Sequence, residues 1–276
     1  MYSEKELIIE ANHSYQQYWH DLWEYKRLFY FFTWRDIKVK YKQTAIGVIW
    51  SVIQPLLTMI VFILVFSKVA KLESVGGAPY SIMVLCGLLP WLLFSKSVAI
   101  GSESTFNNRE MISRIYFPRM VIPISNVLVA CVDFMIAFLV LLVIILFYGF
   151  IPSYKIIFIP LFFLMTFILA TGICLFFSAL VIKYHDFKVI VPFMLQMGIY
   201  ITPVGFSSSI VPEYLKFWYS FNPMVGVVEG FRWAIIGGDV TIYIPGLIVS
   251  IVIILITLLL GIFTFRKMEK TFADDL

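Results

Sequence analysis

An apolar run that begins near residue 45 and ends at Val69, with Lys68 near its end as its one charged residue, constrains this chain more than any other feature. About 20 consecutive apolar residues in an α-helix are enough to cross the hydrocarbon core of a bilayer. Four cations lead directly into the run: Arg35, Lys38, Lys40 and Lys42. Because Lys and Arg are retained on the cytoplasmic side of a membrane, this junction predicts a first span that starts from the cytoplasm.

Further apolar runs follow, and together they predict an all-α integral membrane protein with six transmembrane helices. The composition agrees, since 61% of the 276 residues are hydrophobic and only 14% are charged, which is more apolar surface than a soluble core of this size buries. A six-span domain, 45–265, is expected between a cytoplasmic amino-terminal segment, 1–44, and a cytoplasmic tail, 266–276. The predicted spans cover residues 45–69, 80–100, 121–150, 156–182, 189–206 and 242–265.

The distribution of cations predicts the orientation independently. In this arrangement, fifteen of the 21 Lys and Arg residues lie in segment 1–44, in the 101–120 and 183–188 loops and in the tail. Five lie on the opposite side, and Lys96 lies inside the second span. Both termini are therefore predicted to be cytoplasmic. The net charge of +4 is spread over these loops and does not indicate nucleic-acid binding.

Residues 15–32 predict an amphipathic helix in the membrane interface. Apolar and aromatic residues recur there at intervals of three and four, opposite Asp21, Glu24 and Arg27. Trp and Tyr side chains favour the depth of the lipid headgroups, so one interpretation is a surface anchor. The other interpretation is a gate beside a cytoplasmic opening.

The 101–120 loop predicts a short helix at 109–116, which Asn108 caps and Pro118 ends. A two-turn amphipathic helix between spans is either an interfacial connector or a docking element for a cytoplasmic partner, and both interpretations are open. Its apolar face is expected to hold Met111, Ile112 and Ile115, and its charged residues are Arg109, Glu110 and Arg114.

Lys96 and Asp133 are charged residues that lie inside predicted spans. Lys96 lies about one helical turn from the cytoplasmic end of the second span, where its ammonium can extend to the headgroups. Asp133 lies well inside the third span, and no basic residue is expected at its depth. Such a carboxylate is either a functional group or a hydrogen-bond partner of a neighbouring helix, and both interpretations are open.

Residues 207–238 hold two apolar, aromatic segments that are too short to cross a membrane. Asn222 and Pro223 begin the second segment, and Gly237 and Gly238 end it. Backbone that enters a membrane without crossing it is tolerated only where protein buries it or a wet cavity borders it. We therefore predict a helical hairpin, re-entrant or on the outer surface, that borders a pore.

The motifs of several enzyme classes are missing. The sequence holds no phosphate-binding loop, no zinc-protease motif, no paired Cys or His ligands for a metal and no nucleophile elbow. A membrane glycosyltransferase or acyltransferase needs clustered acidic or basic groups at one interface, and the acids here are dispersed. A secondary transporter needs several ionisable groups at mid-depth, and only Asp133 is clearly deep. A passive conduit driven by a separate motor therefore fits better.

Four sequence blocks resemble the permease subunits of ABC-2 type exporters of lipid-linked polysaccharides, such as O-antigen and teichoic acid. The first is WRDIKVKYKQT at 34–44, followed by QPL at 54–56, and the second is the KYHDFK loop at 183–188. The third is NPMVGVVEGFRW at 222–233, and the fourth is FRKMEKTFAD at 265–274. The resemblance extends from about residue 19 to the end of the chain.

This resemblance implies a homodimer with a pore between two six-span subunits, and two copies of a separate ABC ATPase beneath it. The implied cargo is an undecaprenyl-linked glycan, and the implied place is the cytoplasmic (inner) membrane of a bacterium, among membrane lipids. No cofactor is expected on this chain, because ATP and Mg²⁺ belong to the ATPase. An ABC-2 exporter of drugs or small peptides is the alternative.

Three groups of candidate site residues follow. Arg35, Lys38 and Lys40 are expected to attract the pyrophosphate of the lipid carrier, because phosphate recognition favours Arg forks and Lys charge. The charged residues of the 109–116 helix are expected to contact the ATPase. Aromatic rings suit a sugar path, since they contact C–H faces without holding the hydroxyls. The expected wall of that path consists of Phe62, Phe66, Tyr200, Tyr214, Phe217 and Trp218.

Overall fold

The computed structural model describes residues 15–42, 47–115, 117–238, 240–270 and 272, without the side chains of residues 15–17 and 19. Helices dominate these residues, and no strand occurs among them. Five segments within the described ranges are long and apolar enough to cross a membrane, which confirms a multi-span helical membrane protein. They are Gly47–Val69, Tyr80–Asn107, Val121–Phe147, Tyr154–Lys183 and Ile244–Glu269.

The helices follow the order of the apolar runs. Two of them precede the first spanning segment: α1, Tyr15–Glu24, and α2, Lys26–Lys42. That segment is α3, Gly47–Phe62, which continues as a π-helix at Ile63–Val69. The others are α4 (Tyr80–Asn107), α5 (Arg109–Arg114), α6 (Val121–Phe147), α7 (Ile159–Lys183), α8 (Phe187–Ile201), α9 (Glu213–Tyr219), α10 (Pro223–Ile235) and α11 (Ile244–Glu269).

The helix predicted at 15–32 is divided at Tyr25 into α1 and α2. The break offsets the two aromatic faces, so that Tyr18 and Phe32 are buried against the protein while Trp23 is 73% exposed. Helix α2 also continues past the predicted end as far as Lys42. The basic segment before the first span is therefore helical.

The predicted fifth span, 189–206, corresponds to the shorter helix α8. Its 15 residues extend about 22 Å, which is less than the roughly 30 Å of a hydrocarbon core. The helix ends where the N–H of Thr202 bonds to the carbonyl of Gly198, directly before Pro203. A proline lacks the N–H that would continue the helical pattern.

Helix α4 lies at the centre of the fold, and its side chains Leu85, Leu88 and Leu89 are at most 1% exposed. Helices α7 and α11 approach each other where Gly172 meets Gly261. A Cβ atom built on Gly172 would lie 2.7 Å from the Cα of Leu258, so only glycine permits this distance. The pair therefore sets how closely α11 packs on the core.

Asn108 does not cap α5 with its side chain, contrary to the prediction. Helix α4 runs to Asn107, so Asn108 stands at its carboxyl end, where free carbonyl groups need donors. Its Nδ2 donates to the carbonyl of Ser104 at 2.8 Å. Helix α5 is also shorter than the predicted 109–116, since it ends at Arg114, and residue 116 lies outside the described ranges.

Candidate functional site

The carboxylate of Asp133 on α6 joins four helices at one point. Its Oδ2 accepts hydrogen bonds from Nζ of Lys40 at 2.5 Å and from Nζ of Lys96 at 3.4 Å. Its Oδ1 accepts from the hydroxyls of Tyr41 and Ser51. These donors come from α2, α3 and α4, so one carboxylate fixes α2 against three spanning segments. We call these five residues the Asp133 cluster.

The cluster corrects two expectations, that Asp133 has no basic residue at its depth and that Lys96 extends to the headgroups. Lys96 lies about eleven residues before the end of α4, and Asp133 about twelve residues after the start of α6. Both residues are thus about 16 to 18 Å from the helix ends that flank α5. These matching distances are the signal that could have predicted the pair from the sequence.

The cluster lies near the start of the first spanning segment. Ser51 stands about one turn into α3. The 23 residues of Gly47–Val69 extend about 33 Å, close to the thickness of a hydrocarbon core. The cluster is therefore close to one boundary of the hydrocarbon region, and α4 and α6 extend beyond it toward α5.

The phenol of Tyr41 remains a hydrogen-bond donor at physiological pH. Burial, together with the hydrogen bond to Asp133, raises the pKa of Tyr41 to about 12. Because the phenol keeps its proton, it stabilises the carboxylate without adding a charge. The link between α2 and α6 is therefore part ion pair and part neutral hydrogen bond.

The three predicted gate cations have different partners. Arg35 donates from Nε to Oδ1 of Asp36 at 2.8 Å. The ammonium of Lys38 lies 5.3 Å from the ring centroid of Trp34 and is exposed. Lys40 instead joins the Asp133 cluster. Lys38 is therefore exposed and Arg35 is half-buried beside the ring of Phe32, whereas Lys40 faces the spanning helices.

Helix α5 is anchored through its apolar side. Ile112 is 6% exposed and lies in an apolar cluster with Phe32 of α2 and with Phe117. Helices α5 and α2 therefore share one apolar cluster, in which Phe117 contacts Phe32. The three charged residues of α5 are all exposed: Arg109, Glu110 and Arg114.

The connection between α7 and α8 lies beside α5. The ring centroid of Phe106, at the end of α4, is 3.2 Å from Nζ of Lys188 and 5.0 Å from the guanidinium carbon of Arg109. The ring of His185 meets the same ring edge to face, with centroids 5.2 Å apart. The 183–188 loop and α5 therefore share one surface rich in basic residues.

Glu269 joins α11 to the segment after α5 and to α1. Its Oε1 accepts from the backbone N–H of Arg119 at 3.1 Å and from the phenol of Tyr18 at 3.3 Å. The guanidinium of Arg119 donates to the carbonyl of Glu269 at 2.8 Å. Burial raises the pKa of Tyr18, so this phenol also remains a donor. Helices α1 and α11 and the segment that leads into α6 are therefore fixed to one another.

The opposite end of the bundle carries α9 and α10, where Arg232 is fully buried. Its guanidinium donates to the carbonyls of Phe206 at 2.7 Å and Val204 at 2.8 Å, and it pairs with Glu229 at 3.0 Å. Glu229 also accepts from the N–H of Ser208 at 3.1 Å. A buried charge is stable only when its hydrogen bonds are satisfied, so this network fixes the 202–210 segment against α10.

A cavity of about 450 Å³ opens beside this network. Helices α9, α10 and α11 border it, and Glu229 reaches it. The other polar groups in its lining are mainly hydroxyls, from Ser207, Ser208, Ser209, Ser220, Thr241, Tyr219 and Tyr243.

The six predicted wall residues divide into two sets. Phe62 is 7% exposed, and a Cβ atom built on Gly205 would lie 2.7 Å from the rings of both Phe62 and Phe66. Phe62 is therefore buried in the protein, and the half-buried Phe66 packs against the core. Four residues of α8 and α9 lie on the surface, with exposed fractions of 60% for Tyr200, 77% for Tyr214, 46% for Phe217 and 67% for Trp218. That these rings line a sugar path stays a prediction.

The fold is that of a multi-pass helical membrane protein with an exposed short helix connected to its interior. Residues 27–236 match the sequence profile of the family described as ABC-2 type transporter. Because the match covers more than half of the chain, the protein belongs to the ABC-2 type transporter family.

Named relatives match most of the chain. The O-antigen export system permease protein RfbA of Klebsiella pneumoniae is 28% identical over 249 residues, which cover 88% of this chain and 92% of the relative. The RfbA protein of Myxococcus xanthus is 26% identical over 77% of this chain and 81% of its own length. The polysialic acid transport protein KpsM of Escherichia coli is 21% identical over 86% of this chain and 91% of its own length.

Proposed function

We propose that this chain is the membrane permease subunit of an ABC exporter that moves a lipid-linked polysaccharide across the cytoplasmic (inner) membrane of a bacterium. The relatives named for O-antigen export and polysialic acid transport, matched over most of their length, support this class of cargo. Two copies of the chain form the path between them, and two copies of a separate ATPase bind ATP and Mg²⁺. Helix α8 and the residues to 206 complete a sixth crossing, and both termini are cytoplasmic.

The arrangement of α5 is the observation that carries this proposal. Its charged residues are exposed, whereas Ile112 is buried in one apolar cluster with Phe117 and with Phe32 of α2. Such a helix suits contact with a separate motor protein, because its outer side is available and its inner side is connected to the core. Helix α2 leads from this contact to Lys40 and the Asp133 cluster. ATPase motion therefore has a packed route to the boundary of the membrane.

Helix α2 acts as the substrate gate in this proposal. Lys38 is exposed and Arg35 is half-buried on this helix, and the diphosphate of a lipid carrier can approach both. The exposed aromatic residues of α8 and α9 contact the glycan near the opposite side of the membrane.

Complementation tests the proposal. In a strain that lacks the gene, this chain should restore polysaccharide on the surface of intact cells, measured by immunoblot and by antibody labelling. The lipid-linked glycan should accumulate inside the strain without it. Restored drug resistance with no surface polysaccharide would instead identify an exporter of drugs or small peptides.

Cysteine labelling tests the orientation. A cysteine in place of Tyr214 should react with an impermeant thiol reagent in intact cells. A cysteine in place of Lys267 should react only after the membrane is permeabilised. The reverse pattern would contradict cytoplasmic termini.

A further inference from the structure

The single carboxylate of Asp133 pairs with two ammonium groups. One carboxylate of charge −1 stands between the ammonium groups of Lys40 and Lys96, so these three groups carry a formal surplus of one positive charge. Tyr41 and Ser51 add two neutral donors. The cluster therefore places two ammonium groups and two neutral donors around one carboxylate.

The two ammonium groups are held unequally. Nζ of Lys40 lies 2.5 Å from Oδ2 of Asp133, whereas Nζ of Lys96 lies 3.4 Å from the same oxygen. The side chains of Lys40 and Lys96 are 32% and 20% exposed, and that of Asp133 is 6% exposed. The acid is thus enclosed, while both lysines reach the protein surface.

The position and the chemistry of this surface suit a lipid phosphate. The cluster lies about one turn from the start of the first spanning segment, which is close to the depth of headgroups. Ammonium groups bind phosphate oxygens through charge-assisted hydrogen bonds, and a phenol adds a neutral one. A diphosphate carries more charge and more acceptor atoms than one carboxylate does.

We propose that Lys40 and Lys96 form a binding site for the phosphate groups of the lipid carrier, and that Asp133 occupies this site until the carrier replaces it. This rests on the proposed function, which takes a lipid-linked glycan as the cargo. Lys96 turns to the phosphate first, because its contact with the carboxylate is the longer one. Lys40 follows, and the carboxylate keeps its bonds to Tyr41 and Ser51.

The exchange also changes how α2 is held. With Lys40 paired to a phosphate, the ion pair between α2 and α6 is lost, and the phenol of Tyr41 remains as the link. Helix α2 can then move with α5, to which Phe32 and Ile112 connect it. Arrival of the substrate and motion of the ATPase therefore act on the same helix.

The test uses the complex of this chain with its ATPase in nanodiscs, with ATP hydrolysis measured against increasing polyprenyl diphosphate. Lys96→Gln keeps the pair of Lys40 and Asp133, and should raise the half-maximal concentration about tenfold, as expected for a lost charge-assisted hydrogen bond. Asp133→Asn removes the competing charge and should lower that concentration. Lys267→Gln is the control, because it makes the same charge change at an exposed site on α11. It should leave the half-maximal concentration unchanged.

Lys96→Gln and Asp133→Asn are expected to shift the half-maximal concentration in opposite directions. This difference distinguishes an effect on binding from an effect on folding. If the cluster only holds helices together, Lys96→Gln and Asp133→Asn should both weaken the stimulation and lower the melting temperature, and the proposal is overturned. An equal response to phosphatidylglycerol without polyprenyl diphosphate also overturns it, because the site then serves bulk lipid. If Asp133→Asn does not assemble, Lys96→Arg decides: it keeps the charge and should match the wild type, while Lys96→Gln should not.

Failure of the site and failure of the proposed function are distinguishable. If the chain restores surface polysaccharide while both variants keep the wild-type half-maximal concentration, the phosphate site is wrong and the cargo is right. If the variants shift in the stated directions and no polysaccharide is exported, the site is right and the cargo is wrong.

Discussion

The rings of Phe32 on α2 and Phe117, which follows α5, lie 5.8 Å apart between centroids. Both residues are buried, and Ile112 of α5 joins them in one apolar cluster. A helix of six residues is unstable by itself, so this packing gives α5 its defined position. Helix α5 and helix α2 are therefore joined by one apolar cluster.

Reversing the charge of Arg114 tests the outer side of α5. Arg114→Glu should reduce export at least about tenfold while ATP hydrolysis continues, because complementary charge fixes the register of a contact between proteins. Surface polysaccharide and ATPase rate are measured on the same preparation. Arg114→Lys keeps the charge and serves as the control. Export at the normal rate in the Glu variant would remove the coupling role of this residue.

Truncating Ile112 tests the inner side. Ile112→Ala removes a buried side chain, which costs about 2 to 4 kcal/mol of local packing, and should loosen α5 from α2. Export should fall while the ATPase still binds, as judged by co-purification. Ile100→Ala is a matched control, because Ile100 is 51% exposed and lies on α4, away from α5. Equal effects of the two variants would show that the contact with α2 does not carry the motion.

Neutralising Arg35 and Lys38 together tests the gate. The double variant Arg35→Gln, Lys38→Gln should raise the substrate concentration that half-maximally stimulates ATP hydrolysis, since two cations that attract a phosphate are lost. If these residues act on topology alone, the orientation of the termini changes and the half-maximal concentration stays the same. Protease accessibility of the two ends measures the orientation.

The spanning segments could be predicted from the sequence because length and hydropathy decide them locally. Residues 80–100 and 121–150 were recognised from their own composition, and α4 and α6 lie there. The pairing of Lys96 with Asp133 depends instead on how two helices are aligned. Hydropathy does not report how helices are aligned. The similar distances of Lys96 and Asp133 from the helix ends that flank α5 do indicate it.

The structure differs from the sequence prediction at two other places, Asn108 and the interface helix. Asn108 can cap the helix that follows it or close the helix that precedes it, and the structure shows the second choice. The sequence predicts one interface helix because its aromatic spacing continues across Tyr25. Spacing alone does not show that α1 is held by Tyr18 and Glu269, whereas α2 is held by Phe32.

The buried network of Arg232 and Glu229 predicts a stability effect. Glu229→Gln leaves a fully buried guanidinium without its counter-ion, which costs about 3 kcal/mol and should lower the melting temperature of the purified chain. Glu213→Gln breaks the exposed pair with Lys216 and should have almost no effect. If both variants melt alike, the pair with Glu229 adds nothing to the carbonyl contacts of Arg232.

Aromatic side chains form a group on the surface of α9. Phe217 and Trp218 pack against each other and against Phe221, with centroids 6.1 Å and 5.7 Å apart, so they form a compact group of rings rather than isolated side chains. Rings of this kind are ordinary at a membrane interface, where they act as anchors. A path for sugars requires in addition that water reaches them.

Replacing both Phe217 and Trp218 with Ala should therefore slow glycan export several-fold or let small solutes leak, because aromatic faces give a sugar chain weak contacts that slide. Assembly of the proposed dimer should be unaffected. Export is measured on intact cells and assembly by cross-linking. Phe263, a ring on α11 that is 57% exposed, provides the control, since Phe263→Ala removes a surface aromatic outside this group. Cysteines at 217 and 218 should react with water-soluble thiol reagents in at least one nucleotide state. If they stay unreactive in every state, these rings are lipid-facing anchors and the wall lies elsewhere.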